Sequence, residues 1–175
     1  GVAAAAVWAG PHNAGMSRLP PALTLRPATP QDFPQLAPLW RDAWASANPA
    51  VSTVAPLSHW AARVDAEFGP PCSTTVLVDQ GHTVRAFMVL DQAQGHLHQL
   101  FVAPGAQGQG LGAALVQQLC EQLCPQGWTL HVATTNVRAR RFYARCGLVE
   151  AVVDHHPDTG RERVLCRWVP PSALR

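Results

Sequence analysis

The sequence predicts a mixed α/β domain, and three features of its patterning carry that expectation. Apolar residues recur at helical spacing from Phe33 through Leu36, Leu39 and Trp40 to Trp44. From Ser73 to Val102 the pattern changes to short β-type runs separated by turn residues. Beyond Pro104-Gly105, helical and strand patterns alternate to the end, which gives the order β-α-α-β-β-β-α-β-α-β-β.

Each element has a local reason. Leu23 to Arg26 reads as a short strand. Thr29 is placed as a helix N-cap with Pro30 at the first helical position and Asp32 in the first turn, and the helix runs to about Ala45. A second helix spans about 57–68 and is stopped by Gly69-Pro70-Pro71. Residues 73–79 and 83–91 form a hairpin about Gln80-Gly81, and 95–102 is a third strand ended by Pro104-Gly105. A helix covers about 110–123, a strand 128–134, and a helix 137–146 that stops at Gly147. Strands at about 149–153 and 162–168 close the chain around the 155–160 turn, where His155 and His156 are expected to be exposed.

At 175 residues the chain is expected to form one domain over 21–175, burying roughly two-thirds of the surface of its unfolded state. Apolar residues make up 47% and charged residues 14%, a globular balance that argues against disorder. A net charge of +2 without a basic run or aromatic-basic stripe excludes a nucleic-acid binder. All 13 cations are Arg. The opening 1–20 is read as an N-terminal extension outside the fold, with Met16 a candidate natural start. Its apolar stretch is too short to span a bilayer and lacks the basic flank of a signal peptide, so no membrane partner is expected. Five Cys (72, 120, 124, 146 and 166) form no C-x-x-C pair and are read as reduced, packed thiols of a cytoplasmic protein.

The stretch richest in chemistry runs from Leu100 to Gly112. A strand ends, glycines follow at 105, 108, 110 and 112, and a helix opens. Free N–H groups and the helix dipole favour an anion there, and glycine lets the backbone approach a phosphate. A P-loop requires Lys, and the chain has none. The dinucleotide fingerprint is formally met by Gly108, Gly110 and Ala113, but its acidic residue at the end of the next strand is missing: Thr134-Thr135-Asn136 stands there.

The stretch resembles the acetyl-CoA loop of the GNAT acetyltransferase superfamily, Q/R-x-x-G-x-G/A after an L-x-V strand. The chain has Leu100-x-Val102, then Gln107-x-x-Gly110-x-Gly112, then Leu115. It also resembles the family's downstream N-x-x-A-x-x-[LF]-Y-x-x-x-G-[FL] helix, with Asn136, Ala139, Phe142, Tyr143, Gly147 and Leu148 in the slots. The resemblance implies a partly splayed central sheet of six to seven strands flanked by about four helices, with acetyl-CoA as cosubstrate. It implies that the backbone of Leu100, Phe101 and Val102 pairs with the pantetheine arm. The N–H groups of Gln107, Gly108, Gln109, Gly110, Leu111 and Gly112 would hold the pyrophosphate, and Asn136 would contact the cofactor arm. Relatives often carry cations at 107–109, whereas this loop has none.

Acetylating an amine requires a base to take the ammonium proton and an acid near the departing thiolate. Tyr143, the only Tyr, occupies the family's general-acid slot. His96 and His98 fall on one face of the strand that carries Leu100 and Val102, and an imidazole accepts protons near neutral pH. The string H-L-H-x-L-x-V resembles the serotonin (arylalkylamine) N-acetyltransferases, which implies a proton-removal path through both histidines. His131, on the next strand, is a further candidate base. A three-His metal site built from His96, His98 and His131 is the competing reading, but no carboxylate partner is in view and no metal is expected.

The expected function is acetyl transfer from acetyl-CoA to a primary amine, direct and within a ternary complex. The acceptor is a small molecule or a peptide, and a homodimer is in keeping with the family. Trp40, Trp44, His59 and Trp60 are placed either as an aromatic wall for the amine or as core, and Asp42, Asp65 and Glu67 as the acids available to a polyamine. The alternative is a non-catalytic acyl-CoA-binding or sensor protein of the same fold, which would have no need of Tyr143 beside paired histidines.

Overall fold

The computed structural model describes residues 19–174; the expected extension therefore lies almost wholly outside the described residues. The strands are β1 (Thr24–Pro27), β2 (Ser73–Val78), β3 (Val84–Asp91), β4 (His96–Val102), β5 (Trp128–Ala133), β6 (Val149–His155) and β7 (Glu162–Trp168). The helices are α1 (Phe33–Ala47), α2 (Leu57–Glu67), α3 (Leu111–Gln118) and α4 (Val137–Arg145). Hydrogen bonding orders the strands β1-β2-β3-β4-β5-β7-β6. The β4–β5 pair is parallel, whereas β1–β2, β2–β3, β5–β7 and β6–β7 are antiparallel. The expected mixed α/β architecture is the one observed, with seven strands and four α-helices among the described residues.

Three boundaries differ from the sequence reading: β6 runs on to His155, which was expected in the turn, and the other two have a visible reason. The first helix begins at Phe33, with Asp32 and not Thr29 at the cap position and no side-chain capping bond. The Asp32 carboxylate is drawn backwards: it accepts from the two terminal guanidinium nitrogens of Arg26, at 2.6 and 3.1 Å, and from the Thr29 N–H and hydroxyl, at 2.7 and 3.0 Å. Residues 30–32 become a turn. The expected 110–123 helix is α-helical only to Gln118 and continues as a π-turn over Leu119–Leu123.

The chain forms two compact units. The first takes the described residues up to Leu90 together with Gln99–Leu115. Its core is aromatic: Trp40 stacks edge-on against Trp60 at 5.0 Å and packs on Phe68 at 5.0 Å, and Phe87 lies 5.5 Å from Phe68 and 6.1 Å from Phe101. Trp40 and Trp60 are buried, and Trp44 packs half-buried against the same cluster. These tryptophans therefore serve as core, and burying rings of this size supplies much of a small domain's hydrophobic stabilisation. The Glu67 carboxylate is taken by Arg63 at 2.6 Å.

The second unit takes Asp91–His98 and the described residues from Val116 onward. Alternation along β5 buries Trp128, Leu130 and Val132 on one face, in register with Trp168, Cys166 and Val164 of β7. The opposite face carries Thr129, His131 and Ala133, none of them buried. β6 is the edge strand and is exposed along its length.

Candidate active site

The strand–loop–helix unit at 100–112 has the backbone that an anion site needs. Leu100, Phe101 and Val102 are half-buried, and Phe101 turns its ring into the aromatic core while Leu100 and Val102 take the alternate face. A 3-10 turn over Pro104–Ala106 follows. Gly108 and Gly110 then adopt φ of +83° and +75°, a region that residues with a Cβ rarely enter. A Cβ built at either glycine meets nothing within 4 Å, so open space lies directly over this backbone. Among the described residues, the N–H groups of Gly108, Gln109, Gly110, Leu111 and Gly112 find no acceptor. Leu111 is buried and anchors the start of α3, so only its N–H is available. The side chain of Gln107 makes one long bond, Nε2 to the Val102 carbonyl at 3.5 Å. A row of unsatisfied donors at a helix start, with open space at the Cβ positions of Gly108 and Gly110, fits a diphosphate without any cation in the loop.

The 136–148 segment has a double explanation. Asn136 is the N-cap of α4, and its Oδ1 accepts the Ala139 N–H at 3.1 Å. At the other end Gly147 has φ +95° and donates to the Ala144 carbonyl at 3.0 Å, while the Leu148 N–H donates to the Tyr143 carbonyl at 3.0 Å. These two bonds are a Schellman stop with glycine at its left-handed position. Four of the motif's slots, Asn136, Ala139, Gly147 and Leu148, are thus used to start and stop one helix. Tyr143 is buried, and its hydroxyl has no hydrogen-bond partner among the described residues. Burial, reinforced by the neighbouring thiols Cys146 and Cys166, raises its pKa, so the phenol keeps its proton.

The three histidines do come together. The His96 ring lies 4.9 Å from that of His98 and 5.1 Å from that of His131. The parallel ladder between β4 and β5 comprises a single register pair, His96 with Thr129, and His96 Nδ1 is 2.8 Å from Thr129 Oγ1. Burial, then the positive ends of His98, His131 and Arg163, push the His96 pKa down to about 4, and Asp91 opposes them weakly. Burial and Arg163 also lower His131, against Asp154. His96 is therefore a neutral imidazole across the physiological range, and His98 is the exposed member of the cluster.

Sequence reasoning missed Thr129 and Arg163. Thr129 reaches His96 only through the strand register, which a sequence pattern does not specify. Arg163 faces Ala133 across the β5–β7 ladder, diagonal to His131, and pairs with Asp154 at 2.7 Å. The ionisable neighbours of Tyr143 (Cys146 and Cys166) and those of His96 share no member, so each group is tuned by its own surroundings. No group of three or more His, Cys, Asp or Glu among the described residues could hold a metal ion. None of the five cysteines is in a disulfide, and burial raises the thiols of Cys120 and Cys146 to about 11, which leaves them poor nucleophiles at neutral pH. No helix among the described residues is long and apolar enough to cross a membrane.

Comparison with known proteins points one way. An uncharacterized N-acetyltransferase of Archaeoglobus fulgidus is 43% identical over 53 residues, 29% of this chain and 36% of that protein. The mycothiol acetyltransferase of Beutenbergia cavernae is 40% identical over 68 residues, 37% of this chain and 23% of that protein. The matched stretches thus span well under two thirds of these relatives. In fold, the chain is similar to a spermidine N-acetyltransferase of Vibrio cholerae solved with CoA and spermine, with a TM-score of 0.61, 19% identity, and 88% of this chain and 99% of that chain covered. A GCN5-related N-acetyltransferase from Rhodopseudomonas palustris gives a TM-score of 0.67 at 19% identity, covering 83% of this chain and 94% of that one. The profile of the acetyltransferase (GNAT) family, whose members use acetyl-CoA, matches residues 33–148, from the start of α1 through the end of the Tyr143 helix. The chain belongs to the GNAT acetyltransferase family.

Proposed function

We propose that this chain is an acetyl-CoA-dependent N-acetyltransferase that acetylates a primary amine by direct transfer within a ternary complex. The observation that carries the reading is the row of unsatisfied N–H groups from Gly108 to Gly112, with open space at the Cβ positions of Gly108 and Gly110, in a chain of this family. Bound there, acetyl-CoA supplies an activated thioester acyl group. The Gly108–Gly112 backbone holds its diphosphate through dipoles alone, and the strand backbone of Leu100–Val102 lines its arm and polarises the acyl carbonyl. Asn136, whose carbonyl oxygen is spent on the cap, has its amide NH2 left for the arm.

The side chains supply the proton traffic. His96 is neutral and half-buried, so it offers a lone pair throughout the physiological range, and exposed His98 connects it to solvent. His131 closes the cluster on the other side. Tyr143 keeps its proton, which is the state a donor to a departing thiolate requires. The raised thiols of Cys120, Cys124, Cys146 and Cys166 support direct attack by the amine over an acyl-enzyme on any of these sulfurs.

The acceptor belongs to the amine class. The solved Vibrio cholerae neighbour is a spermidine N-acetyltransferase complexed with spermine, yet of the three acids available for a polyamine here, Glu67 already pairs with Arg63. Asp42 and Asp65 stay exposed, so a panel of amines decides among acceptors within the class. A thermal-shift titration with acetyl-CoA, CoA and NAD tests the cofactor assignment. At about 100 times Kd, acetyl-CoA should stabilise the fold by about 2.7 kcal/mol and raise Tm by roughly 5–10 °C. A shift with NAD and none with millimolar acetyl-CoA would overturn the reading.

A further inference from the structure

The cluster contains one polar side chain with no assigned part. Thr129 stands in direct register with His96, its N–H donates to the Gly95 carbonyl at 2.8 Å, and among the described residues its hydroxyl meets only His96 Nδ1, at 2.8 Å. The same short ladder therefore fixes both the strand and the ring. A neutral imidazole has one N–H and one lone pair, and the partner at one nitrogen decides which nitrogen is free at the other. A threonine hydroxyl both donates and accepts. If it donates to Nδ1, Nε2 carries the hydrogen and the ring has no lone pair to offer. If it accepts from Nδ1–H, Nε2 is left as a free acceptor.

We propose that Thr129 is a positioning residue for acetyl transfer: its hydroxyl accepts the His96 Nδ1–H and so holds the Nε2 lone pair ready for the ammonium proton. The proposal rests on the reading of His96 as proton acceptor. In the step, the ammonium N–H bond breaks with its electron pair staying on the amine nitrogen, and a bond forms between Nε2 and the proton. With Nδ1 tied to Thr129, the same Nε2 must release that proton, to water or to His98. The charged and titratable groups that bear on the ring are His98, His131, Arg163 and Asp91. None of them bonds to Nδ1, and Thr129 Oγ1 is its hydrogen-bond partner among the described residues.

The test combines NMR of 15N-histidine-labelled full-length protein with steady-state kinetics. Wild type and Thr129→Ser should both show His96 as the Nδ1–H tautomer, and Thr129→Val should shift it toward Nε2–H. In Thr129→Val, kcat should fall between about ten- and a thousand-fold with KM for acetyl-CoA unchanged, and Thr129→Ser should restore it. An Nε2–H tautomer in wild type overturns the proposal even if the valine variant fails to fold. So does a valine variant with unchanged tautomer and turnover while His96→Ala is impaired. Full turnover in His96→Ala instead overturns the underlying assignment of the base.

Discussion

The backbone carbonyl of Tyr143 accepts the Leu148 N–H at 3.0 Å, while the hydroxyl at the far end of the same residue has no partner among the described residues. The backbone of this tyrosine is therefore structural and its side-chain oxygen is not. Tyr143→Phe should leave Tm unchanged or slightly raised, because a buried unpaired hydroxyl costs free energy. Turnover should fall by about 100-fold or more, as expected for loss of a general acid. Equal turnover in the two proteins would remove Tyr143 from the chemistry.

Gly147 separates stability from activity. At φ +95° it closes the Schellman stop of α4, and an alanine there should cost about 1–2 kcal/mol of backbone strain. Differential scanning calorimetry should show Tm lower by roughly 2–8 °C for a chain of this length. Turnover per folded molecule should be preserved below the transition.

Gly110→Ala should behave in the opposite sense. Its Cβ meets nothing within 4 Å, so the fold has room for it, and the cost in Tm is confined to the φ of +75°. That Cβ would stand in open space within the stretch of unsatisfied N–H groups. Kd for acetyl-CoA, measured by calorimetry, should rise at least about tenfold, the equivalent of one lost charge-assisted hydrogen bond. Unchanged affinity would move the diphosphate elsewhere.

The histidine cluster sets a pH dependence of stability. His96 has a folded pKa of about 4, below the value of about 6.5 it has when unfolded. Below about pH 6.5 the unfolded chain binds a proton that the folded one refuses, so this contribution is complete above pH 6.5 and is lost progressively toward pH 4. His131 shifts in the same direction and adds to the trend. Urea midpoints between pH 7.5 and 4.5 should fall more steeply for wild type than for His96→Gln. Parallel curves would mean that the ring is not desolvated as described.

Much of this was legible in the sequence because it is written in local periodicity. The order of seven strands and four helices follows from runs of apolar residues, and the anion loop from its glycine spacing. What was not legible depends on partners distant in sequence or on competition between local bonds. The start of α1 moved because the Asp32 carboxylate was drawn to Arg26, a partner outside the helix. The π-turn at Leu119–Leu123 changes no apolar period that a helix would not also satisfy. Thr129 and Arg163 became visible only when register placed them beside His96 and His131.

The most direct test of the central claim is CoA thiol release, followed with acetyl-CoA in the presence and absence of a panel of amines, with the product identified by mass. Amine-dependent release is expected, with one acetylated amine per CoA and loss of turnover in Tyr143→Phe. Tight acetyl-CoA binding with no amine-dependent release across arylalkylamines, polyamines, amino acids and peptides would contradict it and leave an acyl-CoA-binding protein in its place.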